Sequence, residues 1–269
     1  CWRRRWTATA RTCRGQRLLD WPTSQMPDVI HAGYQALMVM AMEAGAEIGG
    51  WLGDRQMQSE CHGALRRLRR HVPDHLRNKQ AAAMLVLAGL ADPGKVCRTV
   101  IARGGAEGFS TFYGYYMLEA LAEGGLYDEA LQIISDYWGA MLDLGATTFW
   151  EDLNYAHAAG AARIDEPVPA GKFDIHAESG AYCYKGLRHS LCHGWASGPT
   201  PWLSRHVLGI VPLEPGCKSV AVRPHLGHLK WAEGTFPTPW GVIRVRHERG
   251  ADGKVSTSVS APDGVRVVR

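Results

Sequence analysis

Leu52-Gly-Asp54-Arg-Gln-Met57, Leu90-Ala-Asp92-Pro-Gly-Lys-Val96 and Leu126-Tyr-Asp128-Glu-Ala-Leu131 set the same Leu-x-Asp turn three times, at intervals of 38 and 36 residues. In each, the Asp can cap the helix that follows while the Leu packs back on the hairpin. Around these turns the apolar residues recur near the helical period. Ile30, Tyr34, Leu37, Met38 and Ala41 mark a helix over 28–52, with Pro27 where a first turn tolerates it. Similar patterns predict helices at about 54–70, 78–90, 110–124 and 127–142. The result is an array of αα-hairpins, either an open solenoid or a closed α/α toroid.

From about residue 209 the pattern changes. Lys218–Arg223, Trp240–Arg246, Val255–Val259 and Val265–Val268 are short, β-branched and alternating, with Asp252-Gly253 and Asp263-Gly264 turns between them. They predict a small antiparallel β-sandwich. Between the two parts, 152–188 is a long stretch of weak periodicity holding Asp165, Glu166, Asp174, His176 and Tyr182. A connection of that length is expected to fold over a pocket mouth and add substrate contacts.

At 46% hydrophobic and 21% charged, the 269 residues exclude a disordered, collagen-like or coiled-coil chain. The longest apolar run, Ala81 to Leu90, is too short to span a membrane and reads as a buried helix. Net charge is 30 − 26 = +4, but residues 1–17 hold six Arg and no acid; without them the balance is 24 − 26 = −2. The basic character therefore belongs to an atypical leader, 1–18, which fits a truncated or misread start better than a nucleic-acid arm. Arg66, Arg67, Arg69 and Arg70 fall at a helix end, where cations suit the dipole, rather than forming a phosphate grip. Seven cysteines at scattered spacings argue against a disulfide scaffold or structural zinc, and lean towards a reducing, cytoplasmic setting. Neither a cofactor, nor a nucleic-acid partner, nor a membrane is called for.

The chemistry concentrates in Gly145-Ala-Thr-Thr-Phe-Trp150-Glu151-Asp152, where Gly145 suits the end of the preceding helix. Aromatic faces beside paired carboxylates are what a sugar ring and a proton transfer need. The same residues also read as a capping Thr pair beside a core Trp and a solvated acidic pair. A second cluster is Ser190-Leu-Cys-His193-Gly-Trp195-Ala-Ser-Gly-Pro-Thr-Pro-Trp202. His189 and His193, at i and i+4, could share a helical face as metal ligands, but no third ligand is evident and no metal is expected. His225 and His228 read as surface residues. Glu151, Trp150 and His193 are expected in one cleft; a toroid would gather Trp150, Trp195 and Trp202 into one pocket, and a solenoid would spread them.

These two clusters, with LEPGCKSVAVRPHLGHLKWAEGTFPTPWGVIRV after them, resemble bacterial α-L-rhamnosidases of glycoside hydrolase family 78. The resemblance implies a six-hairpin (α/α)6 barrel, of which 19–208 would be the C-terminal part, and a β-domain over 209–269. It implies that Glu151 is the general base activating water in an inverting hydrolysis of terminal α-L-rhamnosides, and that His193 lies at the rhamnose site. Asp20-Trp21 is similar to a family Asp-Trp that lines the pocket, and Trp150 and Trp195 are expected to contact substrate. The family's general acid lies upstream of the Asp-Trp stretch. Here 19 residues precede Asp20, three hairpins stand where six are expected, and only Glu107, which reads as a loop acid, offers itself. The chain as given is accordingly expected to lack the acid and most of the activity. An unsaturated glucuronyl hydrolase-like toroid and a non-catalytic helical-repeat binding protein are the alternative readings.

Overall fold

The structure is a computed structural model and describes residues 17–178 and 189–268. Residues 1–16, with Cys1 and Cys13, and the expected contact Tyr182 with Cys183 lie outside the described residues. Helices α1 (Pro27–Leu52), α2 (Arg55–Leu68), α3 (Lys79–Leu87), α5 (Gly114–Glu123) and α6 (Tyr127–Asp143) coincide with the five predicted ones. Between α3 and α5 the chain forms a short α4 (Pro93–Val96) that continues as a π-turn over Cys97–Ile101.

Helix α3 is buried from Gln80 through Val86, on every side, whereas α2 buries only Cys61, Ala64, Leu65 and Leu68. Burial therefore sorts the helices into layers. α1, α3 and α5 pack side by side as an inner row, α2 lies against α1, and α6 lies against α5. The all-apolar run at 81–90 is thus a central helix, and none of the described helices is long and apolar enough to cross a membrane.

The repeated turns cap as expected in two cases. Asp54 accepts the Met57 N–H at 2.9 Å, and Asp92 accepts that of Lys95 at 2.6 Å. The third differs: Leu126 holds the cap position without a side-chain bond, and Asp128 and Glu129 lie inside the first turn, where carboxylates meet the positive end of the dipole. Leu90 and Leu126 pack on the core, but Leu52 is 75% exposed, so the first turn lacks the expected packing. Arg66 and Arg67 close α2 as solvated cations, and Arg69 pairs with Glu43.

The C-terminal part forms β1 (Ile210–Pro212), β2 (Ser219–Val222), β3 (Trp231–Thr238), β4 (Gly241–Arg249), β5 (Val255–Ser260) and β6 (Arg266–Val268). They make two sheets, β1-β2-β6 and β3-β4-β5. Ile210, Val220 and Val222 from one sheet meet Ile243 and Val245 from the other in a small core. The expectation of purely antiparallel pairing is corrected at one place: β6 returns on the free edge of β2 and pairs with it in parallel, Arg266 opposite Ser219. Strand β3 escapes the pattern because Gly234 and Pro237 interrupt it. Both are needed or tolerated locally: a Cβ on Gly234 would sit 2.5 Å from Leu208, and Pro237 lies on an edge strand. His225, expected at the surface, instead stacks on Tyr127 at the start of α6, ring centroids 3.5 Å apart, and so joins the β-part to the helices.

Candidate functional site

Helix α6 ends in a paired closing motif that aims the next segment. Gly145, at φ +92°, donates to the Leu142 carbonyl and Ala146 to that of Met141, both within 3.0 Å. The chain then continues as irregular backbone through Phe149 and Glu151 and meets the second cluster backbone to backbone. His193 N–H donates to the Phe149 carbonyl, and Glu151 N–H to the Ser190 carbonyl, each at 2.8 Å. Thr148 adds a side-chain bond to the Leu191 carbonyl. Two motifs some 40 residues apart thus become one surface.

Glu151 is 5% exposed, so its charge has been taken out of water and must be held. Its Oε2 accepts the Ser190 N–H at 2.9 Å and lies 3.9 Å from His193 Nδ1. The Glu151 carbonyl accepts from Trp195 Nε1 at 3.0 Å and from the Thr111 hydroxyl. His193 packs on the Trp195 ring, centroids 4.2 Å apart, and Trp195 stacks on Phe112 at 14°. Glu151, His193 and Trp195 therefore share one wall.

Asp20 joins this wall through neighbouring residues of another segment. Ser110 donates to Asp20 Oδ2 at 2.7 Å while the adjacent Thr111 holds Glu151. Gln80 of α3 donates to the same Oδ2 at 2.8 Å, and the Trp21 N–H to Oδ1 at 2.8 Å. Burial raises the Asp20 carboxyl above its ordinary range, and the Ser110, Trp21 and Gln80 bonds pull it partly back. Asp152 is pushed up to about 6, mainly by burial and further by the charges of Asp20 and Glu151. Asp152 thus feels both of the other carboxyls of the site.

His189 and His193 do not lie on a helix, and no group of metal ligands occurs among the described residues. His189 Nε2 instead accepts the Asp152 N–H at 3.2 Å, so its proton sits on Nδ1, which faces His176 Nδ1 at 3.3 Å. Burial holds both imidazoles neutral: His189 is lowered, and His176 falls to about 4. His176 in turn meets Trp150 edge-on, centroids 4.5 Å apart.

Trp150 is a correction. It is fully buried, as is Trp202, which donates Nε1–H to the Leu118 carbonyl. Both are core rings, and of the three tryptophans expected in a pocket only Trp195 is half-exposed. Trp21 is half-exposed beside Asp20. Glu107 is an exposed loop acid whose charge acts on Lys79. Asp165, Glu166 and Asp174 all lie in the described part of the connection, and the first two pair with Arg163. The sequence reading missed Gln80, Ser110, Thr111 and Phe112; the aromatic-rich run Phe109-Ser-Thr-Phe-Tyr-Gly-Tyr-Tyr116 was the available signal.

Residues 209–268 match the family described as bacterial alpha-L-rhamnosidase C-terminal domain. The resemblance to the α-L-rhamnosidases stands. The rhamnosidase fold extends over the helices as well. A GH78 family rhamnosidase of Bacillus sp. GL1 superposes with a TM-score of 0.72 at 21% identity, covering 93% of this chain and 27% of that one. A native α-L-rhamnosidase from Aspergillus terreus gives 0.68 at 16%, covering 86% and 27%. A Streptomyces avermitilis α-L-rhamnosidase complexed with L-rhamnose gives 0.67 at 19%, covering 94% and 24%. The chain spans about a quarter of the length of these rhamnosidases. No relative among curated proteins matches it.

Proposed function

We propose that this chain carries the water-activating side of an inverting α-L-rhamnosidase site, within a longer (α/α)6 toroid. The observation that carries the reading is Glu151: a buried carboxylate anchored by Ser190, 3.9 Å from His193, on a wall finished by Trp195. Glu151 takes the proton of the attacking water, His193 and Trp195 hold the rhamnose ring, and Asp20 with Trp21 lines the far side. Trp150 supports from the core.

Inversion also needs an acid ~6.5–9.5 Å away, across the scissile bond. Asp20 is held by three donors and acts in positioning. The reading assigns the acid to a carboxyl outside the described residues, and the test follows from that. The 269-residue chain and a version extended upstream are assayed on an aryl α-L-rhamnoside. Activity confined to the extended form and lost in Glu151→Gln supports the reading; equal turnover by both forms refutes the missing acid.

A further inference from the structure

Strands β3, β4 and β5 turn Phe236, Ile243, Val245 and Val259 towards the small core and present their other face outward. The register lays that outward face in three rungs across the sheet. Trp231, Glu248 and Ser256 form the first, Glu233, Arg246 and Ser258 the second, and Thr235, Arg244 and Ser260 the third. All of these side chains are exposed, Trp231 to 56%. Arg246 pairs with Glu233 and Glu248 and lies 5.5 Å from the Trp231 ring centroid, so its charge is used within the face. Arg244 differs. Among the described residues it has no acidic partner, and Thr235 and Ser260 flank it on the neighbouring strands. An open cavity of about 370 Å³ lies over Glu233, Thr235, Arg244, Arg246, Ser258 and Ser260.

We propose that this face binds a carboxylated oligosaccharide, with a uronate carboxylate on Arg244 and a neighbouring sugar ring against Trp231. The proposal is independent of the reading of Glu151. A guanidinium takes a carboxylate through two parallel N–H bonds, and the Thr235 and Ser260 hydroxyls stand directly across from it on either side. Trp231 and Thr235 are four residues apart on β3, about 13 Å at the strand rise, a span for a chain of sugars rather than one ring. An exposed ion pair contributes little alone, so the ring contact is needed as well. Glu233 and Glu248 decide against nucleic acid, which carries a charge at every residue and would meet both carboxylates. An oligosaccharide with spaced carboxylates avoids them. The make-up of the face also decides against a protein partner: protein interfaces deplete charge at their centre, and here two arginines and two glutamates surround a single aromatic.

Calorimetric titration of the 269-residue chain with an oligogalacturonate, its methyl ester and a single-stranded DNA oligomer tests this. The oligogalacturonate binds, and the ester binds at least threefold more weakly. Trp231→Ala and Arg244→Gln each weaken the oligogalacturonate at least threefold, and together at least tenfold, with the thermal midpoint unchanged. L-Rhamnose does not displace it. Absence of binding, an ester that binds equally well, or affinity kept in either single variant overturns the proposal. Affinity kept in both would assign the anion to the six arginines of residues 1–17. DNA that binds more tightly and is lost in the same variants would make the face a nucleic-acid surface, and displacement by L-rhamnose would move the ligand to the candidate site; either result overturns the proposal.

Discussion

Ser190 and Glu151 are bonded twice: the Glu151 N–H reaches the Ser190 carbonyl at 2.8 Å, and the Ser190 N–H reaches Glu151 Oε2 at 2.9 Å. The first bond fixes the backbone, and the second fixes the rotamer of the carboxylate. Under the proposed reading, a base held in this way needs no rearrangement before it accepts a proton.

Glu151→Gln keeps an acceptor for Ser190 and removes the base. Turnover of an aryl α-L-rhamnoside by an active, extended form should fall about 10²–10⁴-fold, the usual worth of a general base. Thermal midpoint should change little. A large fall in midpoint with the same loss of rate would show that Glu151 acts as structure.

Asp20 accepts from both Gln80 and Ser110 at Oδ2, inside the helical layer. Asp20→Ala takes the Oδ2 acceptor from two buried donors, of which Gln80 keeps its bond to Ser110, and the change costs about 1–4 kcal/mol in urea unfolding at ~1–3 kcal/mol per orphaned group. Asp20→Asn, which keeps one acceptor, falls between. A cost below ~1 kcal/mol for the alanine variant would mean that water enters and replaces the carboxylate.

The helical half was legible because its two signals agreed: the 3.6 period and the Asp caps at 54 and 92 both mark real helix starts. β3 was hidden by Gly234 and Pro237, residues chosen for packing on Leu208 and for an edge position rather than for strand propensity. In the candidate site, the meeting of Glu151 and His193, expected from their local motifs, is seen at 3.9 Å. Ser110, Thr111 and Gln80 were not legible, because their role exists only once α3 and the segment before α5 meet Asp20 and Glu151. Trp150 misled for the opposite reason: it stands next to Glu151 in sequence, but its own side chain is buried in the core.

Asp152 gives a stability prediction of definite sign. Its carboxyl is raised to about 6, so the fold favours the protonated form. The stability it contributes is complete below pH ~4 and is lost as pH rises through 6. Asp152→Asn should therefore stabilise the chain above pH 7 by about 1–3 kcal/mol, on the order of two pKa steps less solvent relaxation. Urea unfolding at pH 5 and pH 8 measures it, and an equal effect at both values would contradict the assignment.

The imidazole pair carries the opposite sign. His189 and His176 are both lowered, His176 to about 4, so the fold favours their neutral forms. Stability from the pair is complete above pH ~6.5 and is lost as pH falls towards 4. The groups acting on the pair are Asp174 on His176, and Glu151 and His193 on His189. Protonating His189 at Nε2 also replaces the acceptor that holds the Asp152 N–H, so the loss reaches the turn beside Glu151. Amide exchange across 152–177 should accelerate at least tenfold, once intrinsic rates are subtracted, between pH 6.5 and 4.5. His176→Leu removes the lower-titrating partner and should flatten that response while leaving the helices α3 and α5 unaffected. An identical pH response in wild type and His176→Leu would show that the connection is held by Arg163 and Asp165 alone, and that the pair takes no part in fixing it.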